Sequence, residues 1–276
     1  MSSLIYIFQG SGRRTQTVLT DMLRTALPYF FTMLWPFIVV NLFGKAYWGD
    51  CVDALLIINV ITLITDWGSK KYLLKRFDLT PNELSEAWHE SIYTRLLILI
   101  CFLLLILISP FSSVMKTGIC ILITSRFIYA TYEAIIKYKH RHLIAIVAEL
   151  IGFLSGLIIL LLLKVEISNE YIIFSMAIGE IVRNIILIIF IKDITFRIGL
   201  RYFQPTYLTQ AYPFFMLAFT SSLIHVVDRV FVYTTFSNEI KSEYQIYMNF
   251  LLFMISLPNF LLMPYFKNYY KSKLIL

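Results

Sequence analysis

The sequence predicts an all-α, polytopic membrane protein with eight transmembrane helices and both termini in the cytoplasm. Composition is the first reason: 59% of the 276 residues are hydrophobic, 15% are charged, and the mean hydropathy is +0.75. Soluble domains carry about 25% charged residues. The second reason is that basic residues fall in short loops on alternate sides of the apolar segments. This pattern sets membrane orientation, and it accounts for the net charge of +7 without a nucleic-acid partner.

Eight apolar segments approach the roughly 20 residues that a helix needs to cross a bilayer. The third is the clearest, because no charge lies between Arg95 and Lys116, and the second is the shortest. In order, the predicted spans cover residues 26–43, 51–65, 96–115, 118–136, 143–163, 171–191, 213–236 and 247–266.

The basic residues outside the spans predict the orientation. Sixteen Lys and Arg residues lie in termini and loops on one side, and only Lys45, Lys116, Lys164 and Lys241 lie on the other. Cytoplasmic loops carry the excess of basic residues, so the richer side is predicted to be cytoplasmic. An odd number of spans would break the alternation, and the eight-span topology therefore places both termini in the cytoplasm.

The chain is predicted to divide into two lobes. Residues 1–192 form a six-helix lobe, residues 193–212 form a cytoplasmic linker, and residues 213–276 form the first two helices of a second lobe. A short parallel repeat supports this division, because LPYFF opens the first span and YPFF opens the seventh, and such repeats are common in secondary transporters. The sequence TPNE at 80–83 predicts a capping box at the start of the helix that runs into the third span.

Four predicted spans carry polar or ionisable side chains away from their ends. Arg126, Tyr129 and Glu133 share one face of the fourth span, because they are three and four residues apart. The others are Glu149 in the fifth span, Glu180 and Arg183 in the sixth, and Asp228 and Arg229 in the seventh.

These residues permit two interpretations. One is a set of buried ion pairs that join helices, for which Glu180 and Arg183 are well spaced. The other, which we favour because several spans contribute, is a hydrated cavity, where charged side chains of membrane proteins usually lie. Arginine suits a phosphate ligand, because its fork binds phosphate oxygens bidentately and stays charged. The predicted substrate-binding residues are Arg126, Tyr129, Glu180, Arg183, Asp228 and Arg229.

Small residues predict one close helix contact. Gly152 and Gly156 in the fifth span, and Ser175 and Gly179 in the sixth, each lie four residues apart. This spacing is typical of membrane helices whose backbones approach closely. The fifth and sixth spans are therefore predicted to pack against each other.

No catalytic, cofactor or metal site is predicted. The chain lacks the G-x-x-x-x-G-K-[ST] of ATP-binding loops, and its three cysteines lack metal-ligand spacing. A disulfide between Cys51 and Cys120 is less favoured than plain packing. The loops are too short for a glycosyltransferase domain or for the large external loop of O-antigen polymerases. A membrane transporter is therefore predicted, and not an enzyme.

Three stretches carry a resemblance to a known family. They are FGKAYWG at 43–49, TDWG at 65–68 followed by Lys75-Arg76, and Val227-Asp228-Arg229 followed by Tyr244, Leu257-Pro258 and Met263-Pro264. In this order they resemble the polysaccharide-exporter, O-antigen flippase branch of the multidrug/oligosaccharidyl-lipid/polysaccharide exporter superfamily. The resemblance covers residues 27–266, and its motif positions here are Asp66, Gly68, Arg76 and Tyr244.

The resemblance implies a two-lobed transporter that flips undecaprenyl-diphosphate-linked oligosaccharide across the bacterial inner membrane by alternating access. Arginines would hold the diphosphate, and Glu133, Glu149 or Glu180 would exchange protons as a coupling route. Family members have twelve or more helices, so the resemblance also implies an incomplete second lobe, in a truncated product or in a chain that assembles with another copy or fragment. Its partners would be lipid-linked oligosaccharide, membrane lipids and other polysaccharide-assembly proteins.

Two alternatives stay open. A multidrug or small-cation exporter of the same superfamily would be favoured by a cavity of carboxylates and aromatic rings, whereas Arg126 and Arg183 favour an anionic substrate. A membrane-embedded enzyme or a non-transporting membrane subunit of polysaccharide assembly would need a polar catalytic cluster at the membrane surface, and the sequence shows none.

Overall fold

The computed structural model describes residues 2–163, 168–192, 194 and 199–273, with side chains placed for 19–163, 168–192, 194, 199, 201–223, 226–255 and 257. Within these ranges the chain is all helical, with nine α-helices, no strand and two short 3-10 turns, Pro81–Glu83 and Leu200–Tyr202. The helices are α1 (Ser2–Phe43), α2 (Lys45–Asp66), α3 (Ser69–Leu79), α4 (Leu84–Ile108), α5 (Ser113–Tyr138), α6 (His142–Leu162), α7 (Asn169–Phe190), α8 (Thr206–Thr235) and α9 (Asn238–Lys273).

Six segments of the described chain are long and apolar enough to cross a membrane, and they correspond to the six predicted spans of the first lobe; α2 and α3 together form one of them. A seventh candidate runs through α8, where Thr206–Leu223 and Val226–Thr235 meet at an angle of 42°. The all-α, multi-pass class is therefore confirmed. Eight spans are not confirmed, because no candidate span in the described residues includes α9.

α2 is longer than the predicted second span, because backbone conformation sets its ends. Gly44 precedes it with a φ of 99°, and Trp67 and Gly68 follow it in the left-handed region with φ angles of 45° and 68°. Glycine adopts such angles at little cost. α2 is therefore 22 residues long, and the break after it turns the chain into α3.

The sequence prediction places the turn between the third and fourth spans near Lys116, and this is wrong. The turn lies at residues 109–112, and Lys116 belongs to α5. Pro110 is the reason, because the residue before a proline favours an extended conformation, and Ser109 has a ψ of 160°. Ser112 then caps α5, since its hydroxyl accepts a hydrogen bond at 3.2 Å from a backbone N–H of the first turn.

The predicted capping box at 80–83 is also wrong. The Thr80 hydroxyl donates to the backbone carbonyl of Arg76 at 3.2 Å, so Thr80 ends α3 and does not cap the next helix. Pro81 opens a 3-10 turn, as proline favours a first helical position. α4 does follow directly and runs without a break into the third span, as predicted.

The close contact between the fifth and sixth spans is confirmed. A Cβ atom added to Gly152 would lie 2.8 Å from the carbonyl oxygen of Gly179, and one added to Gly156 would lie 2.9 Å from that of Ser175. Real Cβ atoms do not approach oxygens so closely, so the two backbones are in direct contact, as small residues permit. This contact fixes the position of α6 relative to α7, and both helices carry charges of the candidate site.

α2 contacts α1, α4, α5, α7, α8 and α9 and so lies at the centre of the bundle. α8 packs against the C-terminal end of α2. There the Trp67 ring stacks on Phe215 with centroids 4.2 Å apart, and the indole N–H donates to the Leu208 carbonyl at 2.9 Å. α9 packs on the opposite end, where Lys45 Nζ lies 2.5 Å from Glu243 Oε1. The α8–α9 pair therefore contacts α2 at both ends of the span.

α8 begins at Thr206, so helical structure replaces the last part of the linker that the sequence predicts at 193–212. Residues 193 and 195–198 of that linker lie outside the described ranges. All three cysteines are free thiols, and Cys51 is buried. The free thiols agree with the prediction that Cys51 and Cys120 serve packing, and the less favoured alternative of a disulfide between them is wrong.

Candidate functional site

A cavity of about 330 Å³ lies inside the bundle, between α1, α2, α3, α5, α6, α7 and α9. Its volume falls at the lower end of the range of about 300–1,000 Å³ typical of small-molecule sites. Apolar and aromatic side chains form part of the wall, and charged, hydroxyl and amide side chains form the rest. The polar lining residues are Thr32, Asn59, Thr62, Asp66, Lys70, Arg126, Tyr129, Glu149, Glu180, Arg183, Gln245 and Asn249.

Arg183 of α7 is the more enclosed of the two cavity arginines, with 8% of its side chain exposed. Its Nη1 lies 3.1 Å from Glu149 Oε2 on α6, and its Nη2 pairs with Glu180 one turn earlier on α7. The guanidinium also lies over the ring of Tyr129 on α5, with Cζ 3.8 Å from the ring centroid. The face of an aromatic ring attracts a cation, so three helices meet at one guanidinium.

Arg126 of α5 is less fully paired. Its Nη1 donates to Asn59 Oδ1 of α2 at 2.6 Å, and its Nε lies 4.0 Å from Glu180 Oε1, at the outer limit of an ion pair. Its side chain is 23% exposed. Arg126 therefore keeps donor capacity toward the cavity, whereas Arg183 is held by two carboxylates.

The structure brings five of the residues that were predicted to bind substrate or to couple ions together on this wall: Arg126, Tyr129, Glu149, Glu180 and Arg183. The same side chains form ion pairs between helices and line the cavity. The two interpretations of the sequence, buried ion pairs and a cavity with charged walls, therefore describe one arrangement. Two arginines and two glutamates leave this part of the wall without net charge. An added anion would therefore have to compete with a carboxylate for a guanidinium.

Glu133 does not line the cavity and belongs to a second cluster of charges, which shares Lys70 with the cavity wall. Lys70, Lys137 and Arg24 lie 2.7, 3.1 and 3.7 Å from its carboxylate oxygens. These cations come from α3, α5 and α1, so one carboxylate joins three helices. The loop-charge pattern assigns all three cations to one membrane face, and the structure does bring them together.

Replacing Glu133 by Gln is expected to lower the thermal unfolding midpoint of the purified chain. The amide keeps the shape of the side chain but removes the common counter-ion of three cations, and a hydrogen bond to a charged group contributes about 1.5–3 kcal/mol. Scanning fluorimetry in detergent measures the midpoint. Glu86→Gln, at an exposed glutamate in the first turn of α4, is the matched control. Equal midpoints for the two variants would contradict a stabilising role of the cluster.

Asp66 and Gly68 shape the break between α2 and α3. Asp66 lies on the cavity wall, with Oδ1 3.7 Å from Nη1 of Arg95. Arg95 is fully buried and donates to the Thr65 carbonyl, at the C-terminal end of α2, at 3.3 Å. A Cβ at Gly68 would lie 2.4 Å from the backbone nitrogen of Phe215. The break therefore needs glycine, both for its left-handed conformation and for its approach to α8.

Arg76 and Tyr244 lie away from the cavity among the described residues. Arg76 pairs with Glu90 of α4. Tyr244 of α9 packs edge-on against Tyr233 of α8, with ring centroids 6.4 Å apart. Both contacts join neighbouring helices.

Asp228 and Arg229 do not lie on the cavity wall in the described part of the chain. Asp228 is exposed on α8, and Arg229 is half-buried beside it. The structure does not bring them together with Arg126 and Arg183. Their predicted contact with substrate stays a prediction.

The polar residues of this region that sequence reasoning missed include Asn59, Lys70 and Arg95. Asn59 is uncharged, and its signal is a lone amide in an apolar span, where such residues usually bond to another helix. Lys70 and Arg95 stand at span boundaries in the sequence, where basic residues are common. The signal for Arg95 is its closeness to a helix C-terminus, which attracts cations, but that closeness exists only in the folded chain.

Among the described residues, no group of three or more His, Cys, Asp or Glu side chains is placed to hold a metal ion. Comparisons with protein-family models, with curated proteins and with solved structures find no match to this chain. A functional conclusion therefore depends on the cavity and on the short motifs of the sequence.

Proposed function

We propose that the chain acts as a flippase that moves undecaprenyl-diphosphate-linked oligosaccharide across the bacterial inner membrane. One observation carries the proposal: the guanidinium groups of Arg126 and Arg183 lie on the wall of a cavity inside a multi-pass bundle. Ionisable side chains inside membrane proteins mark substrate and ion pathways. A sugar-diphosphate headgroup needs a polar path through hydrocarbon, whereas its lipid tail remains in the bilayer.

Arg126 is the phosphate ligand in this proposal. Its Nη1 is bonded to a neutral amide, that of Asn59, and its nearest carboxylate oxygen is 4.0 Å away. A phosphate oxygen would replace only a weak ion pair there. Arg183 has two carboxylates and an aromatic ring as partners, and it would orient Glu180 and Tyr129 around the ligand.

The cavity volume of about 330 Å³ suits a diphosphate better than a whole oligosaccharide. Substrate entry would therefore require the α8–α9 pair to separate from α2. The stacked pair Trp67–Phe215 at one end and the ion pair Lys45–Glu243 at the other would open in turn, which is alternating access. Proton uptake by Glu149 or Glu180 would release Arg183 and couple the motion to a proton gradient.

Arg126→Ala is expected to lower flipping without unfolding the chain. Loss of hydrogen bonds to a charged group of about 1.5–3 kcal/mol corresponds to a rate lower by about ten- to a hundredfold. The assay uses proteoliposomes that contain the full chain and fluorescent undecaprenyl-diphosphate oligosaccharide, and it follows the protection of the label from an external quencher. Arg126→Lys should be intermediate, because it keeps the charge and loses the fork.

Arg201→Ala is the matched control for this assay, because Arg201 lies in the linker region and contacts Tyr202 rather than the cavity. It should flip substrate at the wild-type rate. Equal flipping by wild type and Arg126→Ala, with both proteins folded, would contradict the phosphate role. Absence of flipping by the wild-type chain would contradict the function itself.

A small-cation exporter is the second candidate, and the aromatic part of the wall favours it. Phe31 and Phe153 stack with centroids 4.2 Å apart, and Trp35 meets Phe153 edge-on at 5.7 Å. Aromatic faces and carboxylates bind organic cations. Transport of a permanently cationic dye by the same proteoliposomes, without flipping of the lipid-linked sugar, would support this candidate over the flippase.

A further inference from the structure

Protein covers the end of the cavity at which α2 begins. Trp48, Cys51 and Val52 belong to the first eight residues of α2, and each exposes no more than 1% of its surface. Trp48 lies on the cavity wall, and so does Gln245, two turns into α9. The first turns of α2 and α9, which pack against each other, therefore close this end.

Asp50 joins three helices here. Its Oδ1 atom accepts a hydrogen bond from the side-chain amide of Asn238, and its Oδ2 atom accepts one from the side-chain amide of Asn169. Asn238 is the first residue of α9, and Asn169 is the first residue of α7. Hydrogen bonds to an ionised acceptor are stronger than neutral ones, and a helix N-terminus attracts negative charge. One carboxylate therefore holds the starts of α7 and α9 against α2.

The contact between α2 and α9 is close beside Asp50. A Cβ atom added to Gly49 would overlap the backbone carbonyl group of Asn238, so the two backbones are in direct contact. One turn further along α9, Lys241 Nζ lies 2.8 Å from Asp53 Oδ2, and only 10% of the lysine side chain is exposed. Movement of α9 away from α2 would break both contacts.

A second ion pair joins the same two helices but differs in its surroundings. The side chains of Lys45 and Glu243 are 51% and 49% exposed. Exposed ion pairs contribute little to stability, because water screens them. The bonds of Asp50 are therefore the ones expected to keep this end closed.

We propose that Asp50 is a latch: its carboxylate closes this end of the cavity through Asn169 and Asn238, and loss of these two bonds opens the bundle beside Cys51. The role of the latch rests on the alternating access of the proposed function, in which this end must open once in each cycle. It does not depend on which substrate the cavity binds.

Cys51 is a native reporter of this opening. It is fully buried, and its thiol donates to the backbone carbonyl of Asn169 at 3.4 Å. The chain has three cysteines, so replacing Cys101 and Cys120 by Ser leaves Cys51 as the single thiol. The rate at which a water-soluble maleimide labels this chain in lipid nanodiscs measures the opening. Both membrane faces are accessible there, and no substrate is needed.

Asp50→Ala should raise the initial rate of Cys51 labelling by about ten- to a hundredfold, the shift in an opening equilibrium that corresponds to loss of hydrogen bonds to a charged group. Asp50→Asn should be intermediate, because it keeps the shape of the side chain and loses its charge. Asn238→Ala releases α9 alone and should also raise the rate, so the test does not depend on the folding of one variant.

Glu243→Gln is the matched control, because it removes the exposed ion pair between the same two helices and should label at the wild-type rate. Thermal midpoints show which variants are folded. Wild-type labelling rates in folded Asp50→Ala and Asn238→Ala would overturn the latch, and so would an equal rise in Glu243→Gln. If labelling supports the latch but the wild-type chain does not flip the lipid-linked sugar, only the proposed function is contradicted.

Discussion

Replacing Arg183 by Ala is expected to leave little folded protein. The change removes the cation shared by Glu149 and Glu180, and loss of one partner of a buried ion pair costs about 3–5 kcal/mol. It also removes the contact over the Tyr129 ring, so α5, α6 and α7 lose a common partner. The yield of monodisperse protein after membrane extraction and the thermal unfolding midpoint measure the effect.

A neutral replacement of Arg183 and its two partner carboxylates is the control for this prediction, and it leaves Arg126 with its hydrogen bond to Asn59 but without its 4.0 Å ion pair. The triple variant with Arg183→Met, Glu149→Gln and Glu180→Gln removes all three charges, and exchange of a complete buried ion pair for neutral groups is often close to neutral for stability. The triple variant should therefore recover most of the folded yield. If it is as unstable as Arg183→Ala, the stranded carboxylates are not the cause.

Arg183 and Arg126 differ in whether a substitution is expected to change stability or only transport. Loss of transport in Arg183→Ala would not show a role in binding substrate, because the variant is expected to be unstable. Arg126 is the better probe, since removing it leaves Glu180 paired with Arg183. For this reason the transport experiment rests on Arg126.

Gly179→Ala is expected to have the next largest effect. A Cβ at Gly179 would lie 2.6 Å from the carbonyl oxygen of Gly152, and a backbone oxygen cannot move aside as a flexible side chain can. α6 and α7 would have to separate, and such overpacking costs about 1–3 kcal/mol. The separation would also lengthen the pair between Glu149 and Arg183, which these helices carry. The thermal midpoint in detergent measures the loss.

Gly118→Ala provides a matched control on α5. A Cβ at Gly118 would lie 3.2 Å from the Cγ2 methyl group of Ile173, so the fit requires a side-chain shift of only a few tenths of an ångström. The added methyl group also reduces the entropy of the unfolded chain, which stabilises a helix by about 0.4–1 kcal/mol. Gly118→Ala should therefore keep or raise the midpoint. A similar fall in both variants would contradict a specific backbone contact at Gly179.

The spacing of residues along single helices was sufficient to predict much of the site. Glu180 and Arg183 are one turn apart and do pair, and the small residues of the fifth and sixth spans do meet. These features depend on the helix period of 3.6 residues. The spacing within a single segment of sequence is therefore enough to predict them. Hydropathy likewise locates the six spans of the first lobe, because each must match the bilayer.

The helix period does not determine which residue of another helix a side chain will contact. Glu133 and Glu149 look alike in the sequence, since each is a lone carboxylate of a span. In the structure Glu133 joins the basic cluster with Lys70, whereas Glu149 holds Arg183 on the cavity wall. Their different surroundings follow from how the helices pack, and packing depends on contacts between distant parts of the chain.

Apolar composition by itself determined that this chain is a multi-pass helical membrane protein, because backbone groups in lipid must be satisfied within helices. Spacing determined which charges share a helix face. Only the tertiary structure decided that Arg126 is bonded to Asn59 and remains available, that Arg183 is held by two carboxylates, and that Asp228 lies outside the cavity. The physical reason is that a helix face is a local property, whereas the surface it meets is set by the packing of the whole bundle.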